Sequence, residues 1–180
     1  MKTESTVKYV ARLALTLLLI TSVVAIALAG VNQVTAPKIA ALNQQKTQQA
    51  IETVLPGGGE EVAFTDETGL VKAVYQGEAG YAVQVAPGGF NGEVSMMIGI
   101  DNAGTVLGIS IIKQTETAGL GAVCAAATSA GEQFRGQFAG ASGSVAVSKD
   151  GGSIDAITGA TITSRAVCTG VNAALACIAS

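Results

Sequence analysis

The run LALTLLLITSVVAIALAGV, from Leu13 to Val31, carries no charged residue, and it constrains this chain more than any other feature. At about 1.5 Å per residue a helix over it is about 28 Å long, close to the roughly 30 Å of a bilayer's hydrocarbon core. The competing reading is a secretory signal, because AIALAG offers small residues for cleavage. A signal's apolar core, however, runs only about 7–15 residues. A retained anchor is therefore the expectation. Lys2, Lys8 and Arg12 precede the run, and a single lysine follows in VNQVTAPKIAALNQQ. The positive-inside rule then places residues 1–12 in the cytoplasm, residues 13–31 across the cell (inner) membrane and the rest of the chain on the outer side.

The chain's 180 residues leave room beyond the anchor for one domain with a core. Of its ten basic and thirteen acidic residues, three basic and one acidic precede Leu13, so the remainder carries a net charge near −5. That balance argues against nucleic acid as a partner. Histidine is absent, which removes the commonest metal ligand and the commonest general base together. Cys124, Cys168 and Cys177 form neither a C-x-x-C pair nor a zinc spacing. Cys168 and Cys177 lie on one apolar run, where cysteine usually acts as a small buried hydrophobe.

After the anchor, Ile39, Leu42, Ile51, Val54 and Leu55 recur mostly at helical spacing. Pro37 suits a first turn and PGGGE a termination, so a linking helix is predicted within 32–56. The texture then becomes strand-like. EVAF, LVKAVYQG, GYAVQVAP, GEVSMMIGID and TVLGISIIKQ are separated by DETG, GEAG, PGGFNG and DNAG, each good turn chemistry. These read as an antiparallel meander in which Tyr81, Met96 and Met97 are sheet residues. A glycine-rich bend, TETAGLGA, precedes a helix over AVCAAATSAGEQFRGQF, then short strands at SVAVSK and SIDAIT, and an apolar helix from about Ala160. The predicted class is α+β: a single N-terminal transmembrane helix, then a twisted, mainly antiparallel sheet packed with helices over 57–180.

Within DAITGATITS, Gly159 permits a tight strand-to-helix turn, and Ala160 and Thr161 fall in the helix's first turn. Backbone N–H groups there lack intrahelical partners, and the macrodipole adds partial positive charge, so the spot favours an anion such as phosphate. No Walker loop is present. By spacing alone Thr158 reads as a helix N-cap, the commonest role for threonine at such a junction, Asp155 as a turn cap, and Glu116 with Thr117 as a polar turn.

DAITGATITS also resembles the D-x-x-[ST]-G-A-T-x-[ST] signature of the FMN-binding domain family. That family includes the G subunit of Rnf electron-transport complexes and the C subunit of the sodium-pumping quinone reductase. The resemblance implies one FMN, joined through a phosphoester to Thr161, with Thr158, Gly159 and Ala160 completing the motif. It also implies attachment by a flavin transferase that recognises Asp155. ETAGLG, from Glu116 to Gly121, is similar to the family's E-T-P-G-L-G loop and implies flavin contact by Glu116, Thr117, Leu120 and Gly121. Ala118 stands where the family has proline, so this loop lacks that residue's restriction of φ.

If the resemblance holds, the chain is an electron-carrier subunit of an Rnf-type ferredoxin:NAD oxidoreductase that moves sodium ions or protons, partnered by the complex's other membrane subunits. FMN supplies the redox chemistry and the protein holds and tunes it, so no protein base is needed. The alternatives are a free-standing extracytoplasmic flavin reductase, the quinone-reductase C subunit, and an anchored interaction protein in which TGAT merely caps a helix.

Overall fold

A computed structural model describes residues 2–179, with side chains from Thr6 onward. The chain divides between Gln44 and Gln45 into two compact units. Helix α1, Lys2–Val54, begins in the first and ends in the second.

In the first unit the apolar side chains of α1 are exposed along its length, Ile26 to 72%. The Thr16 hydroxyl donates to the Arg12 carbonyl at 2.8 Å and that of Thr21 to the Leu17 carbonyl at 2.9 Å. Both hydroxyls are thus satisfied by the helix itself, as an apolar surrounding requires. By length and composition α1 is able to cross a membrane. The sequence pattern puts Pro37 in the first turn of a separate linking helix, yet α1 runs through it unbroken. Proline's fixed φ is compatible with a helix; what is lost is the N–H that would serve the Gln33 carbonyl one turn earlier.

The second unit is built on an antiparallel meander of five strands in chain order: β1 Glu60–Val62, β2 Val71–Gly77, β3 Gly80–Val85, β4 Ser95–Asp101 and β5 Val106–Lys113. Turn chemistry closes the hairpins as expected. In DNAG, the Asp101 carboxylate accepts from the Ala103 and Thr105 N–H groups at 2.9 and 2.7 Å, and Gly104 takes φ +80°.

Alternation along β3 and β4 sends side chains to two buried faces. Met96, Ile98, Ile100, Val83 and Val85 join a core with helix α2, Ser129–Gly136, and helix α3, Thr161–Ala179. Ala82 and Met97 point the other way and meet Ala50, Ile51 and Val54 from the end of α1 and Leu55 just beyond it. There Gly99 of β4 lies so close to the Val54 carbonyl that a Cβ would overlap it. Val167 and Val171 of α3 have no exposed surface, and burial of such a side chain contributes about 1.5–3 kcal/mol.

Three further segments differ from expectation. AVCAAATSAGEQFRGQF forms a 3₁₀ turn, Gly121–Ala125, and then α2 only from Ser129. The break is held by Arg135, which reaches back to donate to the Cys124 and Ala126 carbonyls at 2.8 and 3.0 Å, while the Thr128 hydroxyl caps the Gly131 N–H. SVAVSK and SIDAIT are not strands. They meet in a single parallel bridge, Val147 to Ile154, around a 3₁₀ turn at Ser148–Asp150. Val145, Val147 and Ile154 are spent on the core beneath α3, so the alternation that suggested sheet pairing reflects packing instead.

Candidate functional site

The β3–β4 loop, the segment following β5 and the start of α3 converge on a cleft of about 320 Å³. This lies at the small end of the roughly 300–1,000 Å³ usual for small-molecule sites. Glu116, Thr117, Leu120, Gly121, Gly159, Ala160 and Thr161 line it, joined by Phe90, Lys149, Ile162 and Thr163. The two motifs singled out in the sequence therefore form one site. Thr158 and Asp155 lie outside its lining, and both are exposed.

The Ala160 N–H donates to the Ile157 carbonyl at 2.9 Å, which closes a turn with Gly159 at its third position and φ +76°. A positive φ there is what makes glycine necessary. The next backbone bond runs from the Ser164 N–H to the Ala160 carbonyl at 3.0 Å, so the N–H groups of Thr161, Ile162 and Thr163 precede the helical ladder. Thr158 is consequently in the turn ahead of α3 and is not its N-cap. Asp155 is fixed through its backbone: its N–H donates to the Gln137 side chain at 2.7 Å and its carbonyl accepts from it at 3.2 Å.

Beneath the cleft Glu116 is buried, 8% exposed. One oxygen accepts from the Thr163 hydroxyl at 2.6 Å and the other from the Asn91 N–H at 3.0 Å, while the Glu116 N–H donates to the Gln114 side chain at 2.6 Å. A single carboxylate thus ties the β3–β4 loop, the ETAGLG loop and α3 together. Gly121 is required by this arrangement, because a Cβ there would stand 2.5 Å from both Glu116 Oε2 and Thr163 Oγ1. The Thr117 carbonyl accepts from Leu120 and Ala122, each at 3.1 Å, so the loop is folded on itself although Ala118 replaces a proline.

The hydroxyls near the turn are not equivalent. Thr163 is committed to Glu116. Ser164 has no exposed surface; its hydroxyl donates to the Ala160 carbonyl and accepts from the Ile157 N–H, both at 3.0 Å. Thr161 is half-buried at the cleft and accepts a hydrogen bond from Lys149 Nζ at 3.3 Å. Phosphate loops usually bring their lysine in sequence; here one arrives from a separate turn, which no local spacing around TGAT signals. Phe90 was likewise missed, because it sits in a turn read only as punctuation, whereas Thr163 is the closing position of the DAITGATIT motif.

Thiols do not compete for this chemistry. Burial, reinforced by the Glu116 carboxylate, pushes the Cys124 thiol up to about 11, and burial does the same for Cys168, to about 11. None of the three cysteines forms a disulfide, and among the described residues no cluster is suited to a metal ion. A larger groove of about 590 Å³ near the end of α3 has no ionisable side chain in its lining.

A helix start, a lysine and an available threonine over a cleft make a setting that suits an anionic group, in a chain with a helix able by length and composition to cross a membrane. Residues 89–176 match the FMN-binding domain family. The chain is 38% identical to the G subunit of the Na(+)-translocating ferredoxin:NAD(+) oxidoreductase complex of Acetobacterium woodii, over 92% of its length and 89% of the relative's. It is 32% identical to the G subunit of an ion-translocating oxidoreductase complex from Escherichia coli O157:H7, over 81% and 80% of the two chains. The counterpart from Methanosarcina acetivorans is 28% identical over 93% and 94%. The chain belongs to the G-subunit family of Rnf-type ion-translocating electron-transport complexes.

Proposed function

We propose that this chain is a membrane-anchored electron carrier of an Rnf-type ferredoxin:NAD oxidoreductase that translocates sodium ions or protons, and that it holds one FMN esterified to Thr161. The observation that carries this reading is the unequal state of the hydroxyls: Thr161 alone combines partial exposure, a place in the cleft and a neighbouring ammonium. Residues here fit the group. The free N–H groups at the start of α3 and Lys149 suit a phosphate, while Leu120, Ile162 and Phe90 offer apolar surface to a ring. FMN, when bound, supplies the electron chemistry. The protein's part is to fix its position, and Glu116 holds the three surrounding segments in register. Asp155, exposed beside the motif, is available for recognition by a flavin transferase. The other membrane subunits of the complex are the partners in electron flow.

Intact mass of the purified chain tests the ester: an increment equal to FMN less one water, with fluorescence that survives denaturation and washing, is expected. An unmodified mass from a host expressing the transferase would sink the reading.

Orientation is part of the proposal. With Lys2, Lys8 and Arg12 ahead of the apolar run, the N-terminus is cytoplasmic and the flavin domain extracytoplasmic. Protease added to right-side-out vesicles is expected to digest the domain from Lys38 onward. Protection in sealed vesicles would reverse the topology.

A further inference from the structure

Lys149 has a setting unlike that of an ordinary surface lysine. It occupies the middle of the Ser148–Asp150 turn. The turn is fastened on one side by the Ser148 N–H to the Ile154 carbonyl at 2.8 Å, and on the other by the Gly152 N–H to the Val147 carbonyl at 3.1 Å. Asp150 is gripped by Arg165 of α3 through two bonds of 2.6 Å. That bond, with smaller contributions from the charges of Arg165 and Lys149, holds the Asp150 carboxyl below its ordinary value of 3.8, so the grip is lost as pH falls through the lowered value. The turn is thereby docked one helical turn beyond Thr161, and Asp150 is occupied by Arg165. Among the described residues the only ion pair is Arg165 with Asp150, so no carboxylate lies within 4.0 Å of the Lys149 ammonium. Its one hydrogen bond goes to the Thr161 hydroxyl.

We propose that Lys149 is the positioning counter-charge for the phosphoryl group on Thr161. This rests on the reading of Thr161 as the esterified residue. A phosphodiester there carries one negative charge, and the helix start offers only partial charges to meet it. An ammonium on a flexible stem, held by a fixed turn, supplies the full charge and turns from the hydroxyl to a phosphate oxygen without moving the backbone. The same contact distinguishes the acceptor. It draws an incoming anion toward Thr161 and away from Thr158, which lies outside the cleft lining. The Asp150–Arg165 pair serves to aim the lysine.

The test uses the full chain in detergent, as wild type, Lys149→Ala, Lys149→Arg and, as a blank, Thr161→Ala, each co-expressed with a flavin transferase. Intact mass after a fixed short induction reads the rate of covalent loading, and time-resolved fluorescence anisotropy of the loaded fraction reads flavin mobility. Lys149→Ala is expected to load about tenfold more slowly, the factor that corresponds to about 1.4 kcal/mol, with a flavin that tumbles faster. Lys149→Arg keeps the charge and is expected to restore both readouts to within about twofold. Wild-type loading and mobility in Lys149→Ala would overturn the proposal, as would a defect that arginine fails to rescue. A wild type without covalent flavin would instead overturn the underlying assignment of Thr161, and a loaded wild type separates the two failures.

Discussion

Thr161→Ala is expected to yield a folded, colourless protein with no covalent flavin. The change removes one hydroxyl whose only hydrogen bond is to an exposed lysine, so stability should move by no more than about 0.5 kcal/mol. The turn ahead of α3 does not depend on it, since Gly159, the Ala160 N–H and Ser164 set that geometry. Attachment, in contrast, should fall from complete to none, because Thr163 and Ser164 are engaged, Thr158 lies outside the cleft lining and Thr117 has no neighbouring ammonium among the described residues. Absorbance near the flavin bands and intact mass check the loss, and circular dichroism checks the fold. Flavin that remained covalent would move the acceptor to Thr158, the exposed hydroxyl next in line.

The second large effect is expected at Glu116, and the choice of substitution decides what is learned. Glu116→Ala strands the buried Thr163 hydroxyl, at a cost of about 1–3 kcal/mol, and releases the Asn91 N–H that ties the β3–β4 loop, and so tests folding more than function. Glu116→Gln keeps the shape and leaves an oxygen for Asn91 and an amide for Thr163, while removing a negative charge beneath the cleft. A negative charge near the ring disfavours electron addition. Its removal should therefore raise the flavin potential, on the order of tens of millivolts in a partly screened site. Spectroelectrochemistry of the two loaded forms measures this directly. Equal potentials would reduce Glu116 to a structural tie. Thr117→Ala should do less, because that side chain is exposed and it is the Thr117 carbonyl that holds the loop.

The meander from β2 to β5 was legible in the sequence because each strand is bounded by residues with a turn mechanism, as in GEAG and DNAG. The start of α3 was legible for the same reason, with Gly159 marking the turn. Segments without such punctuation were misread. SVAVSK alternates like a strand, yet Val145 and Val147 answer to α3 across the core, a demand invisible to local pattern. The break between the 3₁₀ turn and α2 depends on Arg135 bonding to carbonyls nine and eleven residues earlier, beyond the reach of propensity. In the site, TGAT and ETAGLG were found through their resemblance to the motifs of the FMN-binding domain family, since spacing alone left them as a cap and a polar turn. Lys149 was not, because it closed a run read as a strand, where a lysine looks the same whether it faces water or a threonine.

The meeting of Ala50, Ile51, Val54 and Leu55 with Ala82 and Met97 bears on how freely this protein's parts could be exchanged. In the sequence the apparent seam is at PGGGE, where helical spacing stops. In three dimensions the last turns of α1 belong to the domain, because they cover the second face of its sheet. A chain begun at Gly57 would bare Ala82 and Met97, both wholly buried beneath α1, to water. One begun ahead of Gln45 would keep both faces closed. Helix α1 is therefore not an interchangeable handle: its final turns, from Gln45 to Val54, have been captured by the domain, and any segment grafted in its place must bring an equivalent lid.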